Sequence, residues 1–548
     1  GLVFIKNNKV KDGIIIFKKI LKIDPLSIEA LINIGVAYCE LNKINLSLEF
    51  FEKARNLNLR LDEIYFNMGV AYEKDQNIEK AILNYKKSIK YNSANINALN
   101  NLGRIYLLKN AYIKAKDIFE KKLSIVPKDP NSYHNIGIVL TKLNKFDEAI
   151  KFYSKAKKLN SINPRTYYNL GYLLLKKSKF NESVSNFKKA IKLFPNNETF
   201  YYNLALAKTE LGKYDLAIKD YNKAICINND YLKAKYNLAR LDLATENFKS
   251  GWKHFEKRHH YGAIDNRIIN ILKLQRWNGK KFNGKLFIHG EQGIGDIILH
   301  SSMIQELYKI QQNICLTVDK RLVSLYRRSF KKLEVVSYDS QLFYTNNDRH
   351  VALASLGLFF RDSINCFPKN PKPYIFPCIE KVNNFKNILS KNKNIKIGVS
   401  WKSIGDRASI RTISLNQMSK ILTIKGCDFI NLQYGDSLSE INSFNNKFSR
   451  KLINIDNIDL TNNFEDLSAL IQSCDLIITI SNVTAHFAGA IGKKTWVIVP
   501  LNTQWHWFHS RKNSLWYPKV RLFRQKQYGK WEDVIDKIYN EILFFKKN

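Results

Sequence analysis

A small residue returns every 34 positions through the first half of this chain: Gly35, Gly69, Gly103, Gly137, Gly171, Ala205 and Ala239. Twelve residues after each stands Ser47, Ala81, Ala115, Ala149, Ser183, Ala217 or Gly251. Four further on comes a ring, Phe51, Tyr85, Phe119, Tyr153, Phe187, Tyr221 or Phe255. Repetition at this period restricts the chain to stacked copies of one supersecondary unit, none of which buries its apolar face alone. A small residue admits a neighbouring helix closely and a ring fills the space beside it, so each unit reads as a helix pair. Pro25, Pro127, Pro164 and Pro195 fall near the joints, where a missing N–H is tolerated. Gly1, Gly13 and Phe17 keep the same phase. The visible start therefore reads as an incomplete repeat ahead of seven fuller ones, with room upstream for a leader or further repeats.

A second ladder runs two residues ahead of the first: Asn33, Asn67, Asn101, Asn135, Asn169, Asn203 and Asn237. Each lies inside the first helix of its repeat, where asparagine costs roughly half a kcal/mol against alanine, or on the order of 3–5 kcal/mol for all seven. Something should offset that cost. A primary amide carries both a donor and an acceptor, matching the N–H and C=O of an extended peptide. Amides at a fixed spacing can hold a chain without reading its side chains closely. The other reading is that they tie adjacent repeats together or follow from an asparagine-rich composition.

These residues resemble the tetratricopeptide-repeat family over residues 1–257. The resemblance implies an all-α superhelix with a concave binding face. The resembling arrays of protein O-glycosyltransferases present asparagines on that face.

After Phe255 the period fails. Large residues in GWKHFEKRHHYG suit a terminal surface for the solenoid, and 258–283 reads as a junction. His254, His259 and His260 cluster there without a convincing fourth metal ligand. From 284 short apolar strands alternate with helices, implying parallel sheets with ligands near the strands' carboxyl ends. Proline-rich CFPKNPKPYIFP divides the region into α/β halves at 284–385 and 386–525, leaving 526–548 as a terminal helix. The cleft between the halves is the expected active site. Two or more domains suit 548 residues with 45% hydrophobic content. Seven scattered cysteines without a CxxC spacing point away from a disulfide scaffold and towards a reducing, cytoplasmic setting. No apolar run is long enough to span a membrane. The formal charge of +40 is mostly dispersed lysine, without a zinc finger, RNP motif or compact arginine block, so no specific nucleic-acid partner is expected.

Residues 270–548 resemble the heptosyltransferase-like glycosyltransferases in the version fused to tetratricopeptide arrays. The matching segments are GKLFIHGEQGIGDIILHSSMIQEL, IKIGVSWKS, INLQYGD, IITISNVTAHFAGAIGKKTWVIVP and SLWYPKVRLFRQ. The likeness implies a two-half GT-B fold, the first half on the acceptor side, the second holding a nucleotide-activated sugar, and the last helix returning to the first half. It carries a catalytic aspartate over to Asp296 in GIGD, whose glycines permit a tight turn from strand to helix. Asp296 reads as the base for an attacking hydroxyl or as a helix cap, with Glu291 in reserve. His486 matches the family's histidine as a donor to a phosphate or sugar oxygen, with a core histidine as the alternative. Ser481, Asn482 and Thr484 open a helix whose N–H groups suit a diphosphate. Related heptose transferases begin that turn with aspartate, then serine or threonine, then glycine, so this donor is not assumed to be ADP-heptose. Lys402 is the expected cation for the leaving phosphate, with Arg407 and Arg411 nearby. Gln433 and Tyr434 are expected to border the base. No DxD is present and Asp456 with Asp459 is wrongly spaced, so no metal is expected.

The reading is an inverting glycosyltransferase that moves a sugar from an activated nucleotide to a hydroxyl of a protein held by the array. A transferase for a glycan or lipid-linked glycan and a non-catalytic protein-interaction scaffold are the alternatives.

Overall fold

The computed structural model describes residues 9–258, 271–291, 293–404, 408–448 and 452–547. Gly1, His259, His260 and Arg407 lie outside the described residues. The chain divides into two compact units, Gly1–Phe200 and Tyr201–Asn548.

In the first unit helices follow one another from Val10–Ile23 to Phe180–Leu193, each packing chiefly on its neighbours in sequence. The small-residue clock has a direct cause. A Cβ added at Gly35, Gly69, Gly103, Gly137 or Gly171 would stand 2.5–2.9 Å from the ring of Phe51, Tyr85, Phe119, Tyr153 or Phe187 respectively. Those rings are almost wholly buried, each contributing roughly 2–3 kcal/mol relative to exposure. Ser47 and Ser183 each donate to the carbonyl oxygen of the facing glycine, Gly35 and Gly171, at 2.7 Å. The turn inside each pair contains a left-handed residue at the same 34-residue phase: Asn42, Gln76, Asn110, Asn144 and Ser178, continued by Gly212 and Glu246. Asparagine and glycine tolerate that conformation best.

The second unit opens with the last helices of the array, including Tyr214–Ile227, Leu232–Ala244 and Phe248–Phe255, and continues into two α/β halves. The first half is a parallel sheet in the order β1 (Gln275–Arg276), β5 (Arg349–Ala352), β2 (Leu286–His289), β3 (Ile314–Val318), β4 (Glu334–Ser337). The second is a parallel sheet in the order β10 (Val520–Arg524), β9 (Thr495–Val499), β8 (Leu476–Ile480), β6 (Ile395–Ser400), β7 (Cys427–Asn431). The chain thus joins a helical repeat array to a GT-B-like pair of α/β halves.

Large residues at the end of the array make a joint rather than a solvent-facing cap. Trp252 and Phe255 are buried in one core with Leu286, Ile298 and Leu356 of the first half and Trp505 of the second. The Trp252 indole donates to the Arg361 carbonyl at 2.8 Å. The second half docks on the same repeats: Arg511 grips Glu246 through two bonds of 2.7 and 3.0 Å, and Tyr214 donates to the Leu501 carbonyl. The proline-rich segment straps the halves together. Tyr374 donates through its amide to the Ala490 carbonyl and through its hydroxyl to the Ile298 carbonyl.

One expectation is overturned. The terminal helix Glu532–Lys547 does not return to the first half. Val534, Ile535, Ile538 and Ile542 are buried with Ile397, Val399, Met418 and Ile421 of the second half, and Lys420 pairs with Asp536. Its apolar stripe is completed by the sheet that precedes it in sequence.

Candidate functional site

Strand β2 ends at His289, and the chain passes through Gly290 and Glu291 into the helix Ile294–Ser301. Asp296 stands one turn in. Its carboxylate reaches back to accept from the Gly293 amide at 3.4 Å, a long bond that leaves most of its accepting capacity unused. The expected capping bond is made, and it does not occupy the whole carboxylate. Burial raises the Asp296 carboxyl to about 6, against the lowering effects of the Gly293 amide, Arg240 and Arg411 and with help from Glu291. Glu291 is held by buried Arg258, whose Nε donates to it at 3.0 Å. An ion-paired carboxylate is the weaker base.

The glycines of GIGD do not serve the turn as expected, for neither Gly293 nor Gly295 has a positive φ. Gly295 is there for space. A Cβ on it would stand 2.7 Å from Cδ2 and 3.3 Å from Nε2 of His486, because the helix Val483–Ile491 packs directly on Ile294–Ser301. The two motifs, almost two hundred residues apart in sequence, meet where the halves join.

His486 is 4% exposed, stacked on Trp507 at 5.4 Å and set against His506 at 4.9 Å. Burial lowers it to about 3, so it is a neutral imidazole. Its Nδ1 lies 2.8 Å from the Tyr517 hydroxyl. Tyr374 gives its only hydroxyl proton to Ile298 and so accepts from Tyr517. Tyr517 therefore accepts from His486 Nδ1–H, and Nε2 is left an acceptor facing Gly295. Donation from this ring to a phosphate, as the sequence suggested, requires the other tautomer.

The expected diphosphate cradle is largely occupied by the protein itself. Asn482 Oδ1 caps its helix, accepting from the amides of Thr484 at 3.1 Å and Ala485 at 3.4 Å, while Nδ2 donates to Ser400 Oγ and the Lys402 carbonyl. Ser481 Oγ accepts from the Trp507 indole and donates to Gln504. Thr484 is wholly buried. Gln433 is a brace: Oε1 accepts from Ser400 Oγ and from the amides of Trp401 and Lys402 at 2.7–3.1 Å. Lys402 is paired with Glu440 at 2.6 Å. Despite burial, Glu440 stays below its ordinary range because Lys402, Trp401 and the Leu415 amide all donate to it.

Arg411 and Tyr434 lie close enough to feel each other's charge, and Arg411 lines a cavity of about 420 Å3. One wall is the last repeats, with Tyr202, Tyr221, Tyr236, Asn237 and Arg240. The other is the second half, with Ile410, Arg411, Gln504, Trp505 and His509. Sequence reasoning missed Arg240 and the tyrosines because they sit in a segment that reads as repeat scaffold. Their signal is positional: Arg240 stands three residues, almost one helical turn, after Asn237. The cavity lies between the last repeats and the second half, and the first half contributes none of its lining residues.

The ladder amides are half-buried except Asn203, which is buried. Asn101 donates to Tyr85 and Asn169 to Tyr153, both at 3.2 Å, so those two tie onto the preceding repeat. Asn237 donates to Tyr202 at 2.9 Å, and Asn33 to its own helix. The amides of Asn67 and Asn135 make no hydrogen bond among the described residues. Among those residues, also, no group of three or more His, Cys, Asp or Glu is placed to hold a metal ion, and no helix is long and apolar enough to cross a membrane.

Comparison with known proteins places the repeats firmly. Models described as tetratricopeptide repeats match residues 62–95, 96–129, 164–197 and 199–231, and a TPR-repeat model matches 137–178. The N-terminal part of the chain is a tetratricopeptide-repeat region. Among curated proteins, Protein FlbA of Caulobacter vibrioides is 29% identical over 337 residues, 58% of this chain. The match spans 56% of that protein's length. Among solved structures, YrrB, a TPR protein with an unusual peptide-binding site, is 25% identical over 34% of this chain and 96% of its own, with a TM-score of 0.31. PilF of Pseudomonas aeruginosa is 17% identical over 39% of this chain and 96% of its own, with a TM-score of 0.35.

Proposed function

We propose that the protein is a cytoplasmic glycosyltransferase that moves a sugar from a nucleotide-activated donor to a hydroxyl of a protein held by the repeat array. One observation carries this reading. Arg240 of the last repeat and Arg411 of the second α/β half line one cavity and both bear electrostatically on Asp296 of the first, while Asn237, the last rung of the ladder, opens into that cavity.

In this mechanism Asp296 accepts the proton of the acceptor hydroxyl. Its oxygen bonds to the anomeric carbon as the bond from that carbon to the phosphate oxygen breaks, and the electron pair leaves with the nucleotide. A carboxyl near 6 is mostly ionised at neutral pH, yet basic enough to share a proton in the transition state. Arg411 and Arg240 take the charge-stabilising part first given to Lys402, whose ammonium is tied to Glu440. Ser481, Asn482, Gln433 and Trp507 hold the second half's loops in place behind them. The free amides of Asn67 and Asn135 and the unused oxygens of Asn101 and Asn169 engage the acceptor backbone.

The test is a panel of nucleoside mono- and diphosphate sugars offered to the full chain with cellular protein, reading released nucleotide and product mass together. Transfer should fall at least about a hundredfold in Asp296→Asn with donor affinity retained. Equal transfer by that variant removes Asp296 from the chemistry. Acceptor capture without donor binding makes the protein a scaffold.

A further inference from the structure

The terminal helix Glu532–Lys547 buries one stripe in the second half's core and leaves another uncovered. Lys537, Asn540, Glu541 and Phe544, three and four residues apart, bound a cavity of about 830 Å3 whose opposite wall comes from strand β10 and the segment before it. Two of its cations are already satisfied. Arg511 is paired with Glu246 and Arg521 with Glu541. Three are not: Lys512, Lys537 and Arg524 have no carboxylate within ion-pair distance among the described residues. Arg524 is held rigidly, its Nη2 donating to the carbonyl oxygens of Trp507 and Phe508, while its enclosed Nη1 has no hydrogen-bond partner. Burial lowers Arg524 from its ordinary value, the signature of a guanidinium whose charge is uncompensated.

We propose that this cavity is a binding site for a multiply charged phosphate group. One carboxylate would balance only one of the three cations, whereas a phosphate carries two or more charges and several acceptor oxygens. Arg524 presents a fixed fork, Lys512 and Lys537 are flexible point charges, and Ser510 and Asn540, on opposite walls, add neutral donors. Exposed Phe544 offers an apolar edge beside them. The site is separate from the transferase cavity, with His509 lining both, and it does not depend on the transferase reading.

Calorimetric titration of the full chain with tripolyphosphate tests the site, using Lys512→Gln with Lys537→Gln. Neither lysine supports the core, so this variant folds. The expected result is a loss of affinity of about tenfold or more. A net charge of +40 attracts any anion, so Lys331→Gln with Lys332→Gln is the charge-matched control and should bind as the parent does. Arg411→Gln should also leave the affinity unchanged. Parent-like binding by the first variant, an equal loss in the control, or abolition by Arg411→Gln overturns the proposal. Vesicles of phosphatidic acid in phosphatidylcholine, whose headgroup is a phosphate monoester, separate the sources of the phosphate. Binding of tripolyphosphate alone through these lysines assigns a free phosphate ligand, and binding of both assigns a lipid headgroup. Lysine-dependent vesicle binding without tripolyphosphate binding overturns it.

Discussion

Gly295→Ala is expected to destabilise the second unit through one contact, and the size follows from the structure. The new methyl would stand 2.7 Å from His486 Cδ2, well inside van der Waals contact, and the imidazole cannot retreat because it is stacked on Trp507 and tied to Tyr517. Overpacking of this kind costs about 1–3 kcal/mol, set against a gain of up to about 1 kcal/mol for alanine over glycine in a helix. His486→Ala costs more on its own, since it opens a cavity and strands Tyr517. In that background, however, the added methyl has room. Gly295→Ala should then be neutral or stabilising, giving a coupling of about 2 kcal/mol between the two sites. Denaturant unfolding followed by tryptophan fluorescence reads this selectively, because all eight tryptophans, from Trp252 to Trp531, lie in the unit that begins at Tyr201. An equal cost of Gly295→Ala in both backgrounds would refute the close approach and return the glycine to a turn-making role.

Three further outcomes follow from the same contacts. Asn135→Ala should stabilise the array by about 0.5 kcal/mol through helix propensity alone, whereas Asn101→Ala and Asn169→Ala each lose a bond worth about 1 kcal/mol to Tyr85 or Tyr153 and should be neutral or slightly destabilising; helical-signal melts of the three single variants check the difference in sign. A fragment starting at 265 strips Leu243, Trp252 and Phe255 from a shared core and should be less stable and more aggregation-prone than one starting at 201, as measured by light scattering and thermal unfolding. Acid should weaken the second unit. His300, lowered by burial to about 4, and His486, to about 3, stay neutral while the unfolded chain takes up protons below about 6.5, so their stability is full above that pH and lost as it falls. Asp296, raised to about 6, acts in the opposite sense between about 6 and 3.8. The net loss from pH 6.5 to 4 should be a few kcal/mol, steeper in Asp296→Asn, and an unchanged urea midpoint across that range would contradict it.

The parts of the fold that were legible in the sequence are those governed by one local rule. A 34-residue clock of glycine and aromatic residues is legible because each glycine answers to a single ring, and alternating apolar strands and helices are legible because the central strands, such as β2, β3, β8 and β9, are buried on both faces. The destination of the terminal helix was not legible. Its stripe of Val534, Ile535, Ile538 and Ile542 states that one face is buried but not on which sheet. The left-handed turn residues were not read either, although Asn42, Gln76, Asn110 and Asn144 share a phase. Asparagine in this chain is common enough to hide a positional requirement. Glu246 ends that series with a residue ill-suited to the left-handed region, and its carboxylate is gripped by Arg511, so a local cost is offset by a contact between the last repeat and the second half.

At the candidate site, several motif residues are engaged by the protein itself for a physical reason. A motif marks positions where few side chains are tolerated, and in Asn482, Ser481 and Gln433 the intolerance comes from bonds that brace loops. A brace with most of its donors and acceptors engaged has little left for a ligand. Neither burial nor charge partners can be read from a motif. Lys402 had the right residue type after the right strand, yet Glu440 neutralises it. Arg240 had no motif at all, and it reaches Asp296 only because the array ends against the α/β region. The last repeats are therefore structural components of the cavity, and removing the Arg240 charge should raise the Asp296 carboxyl further.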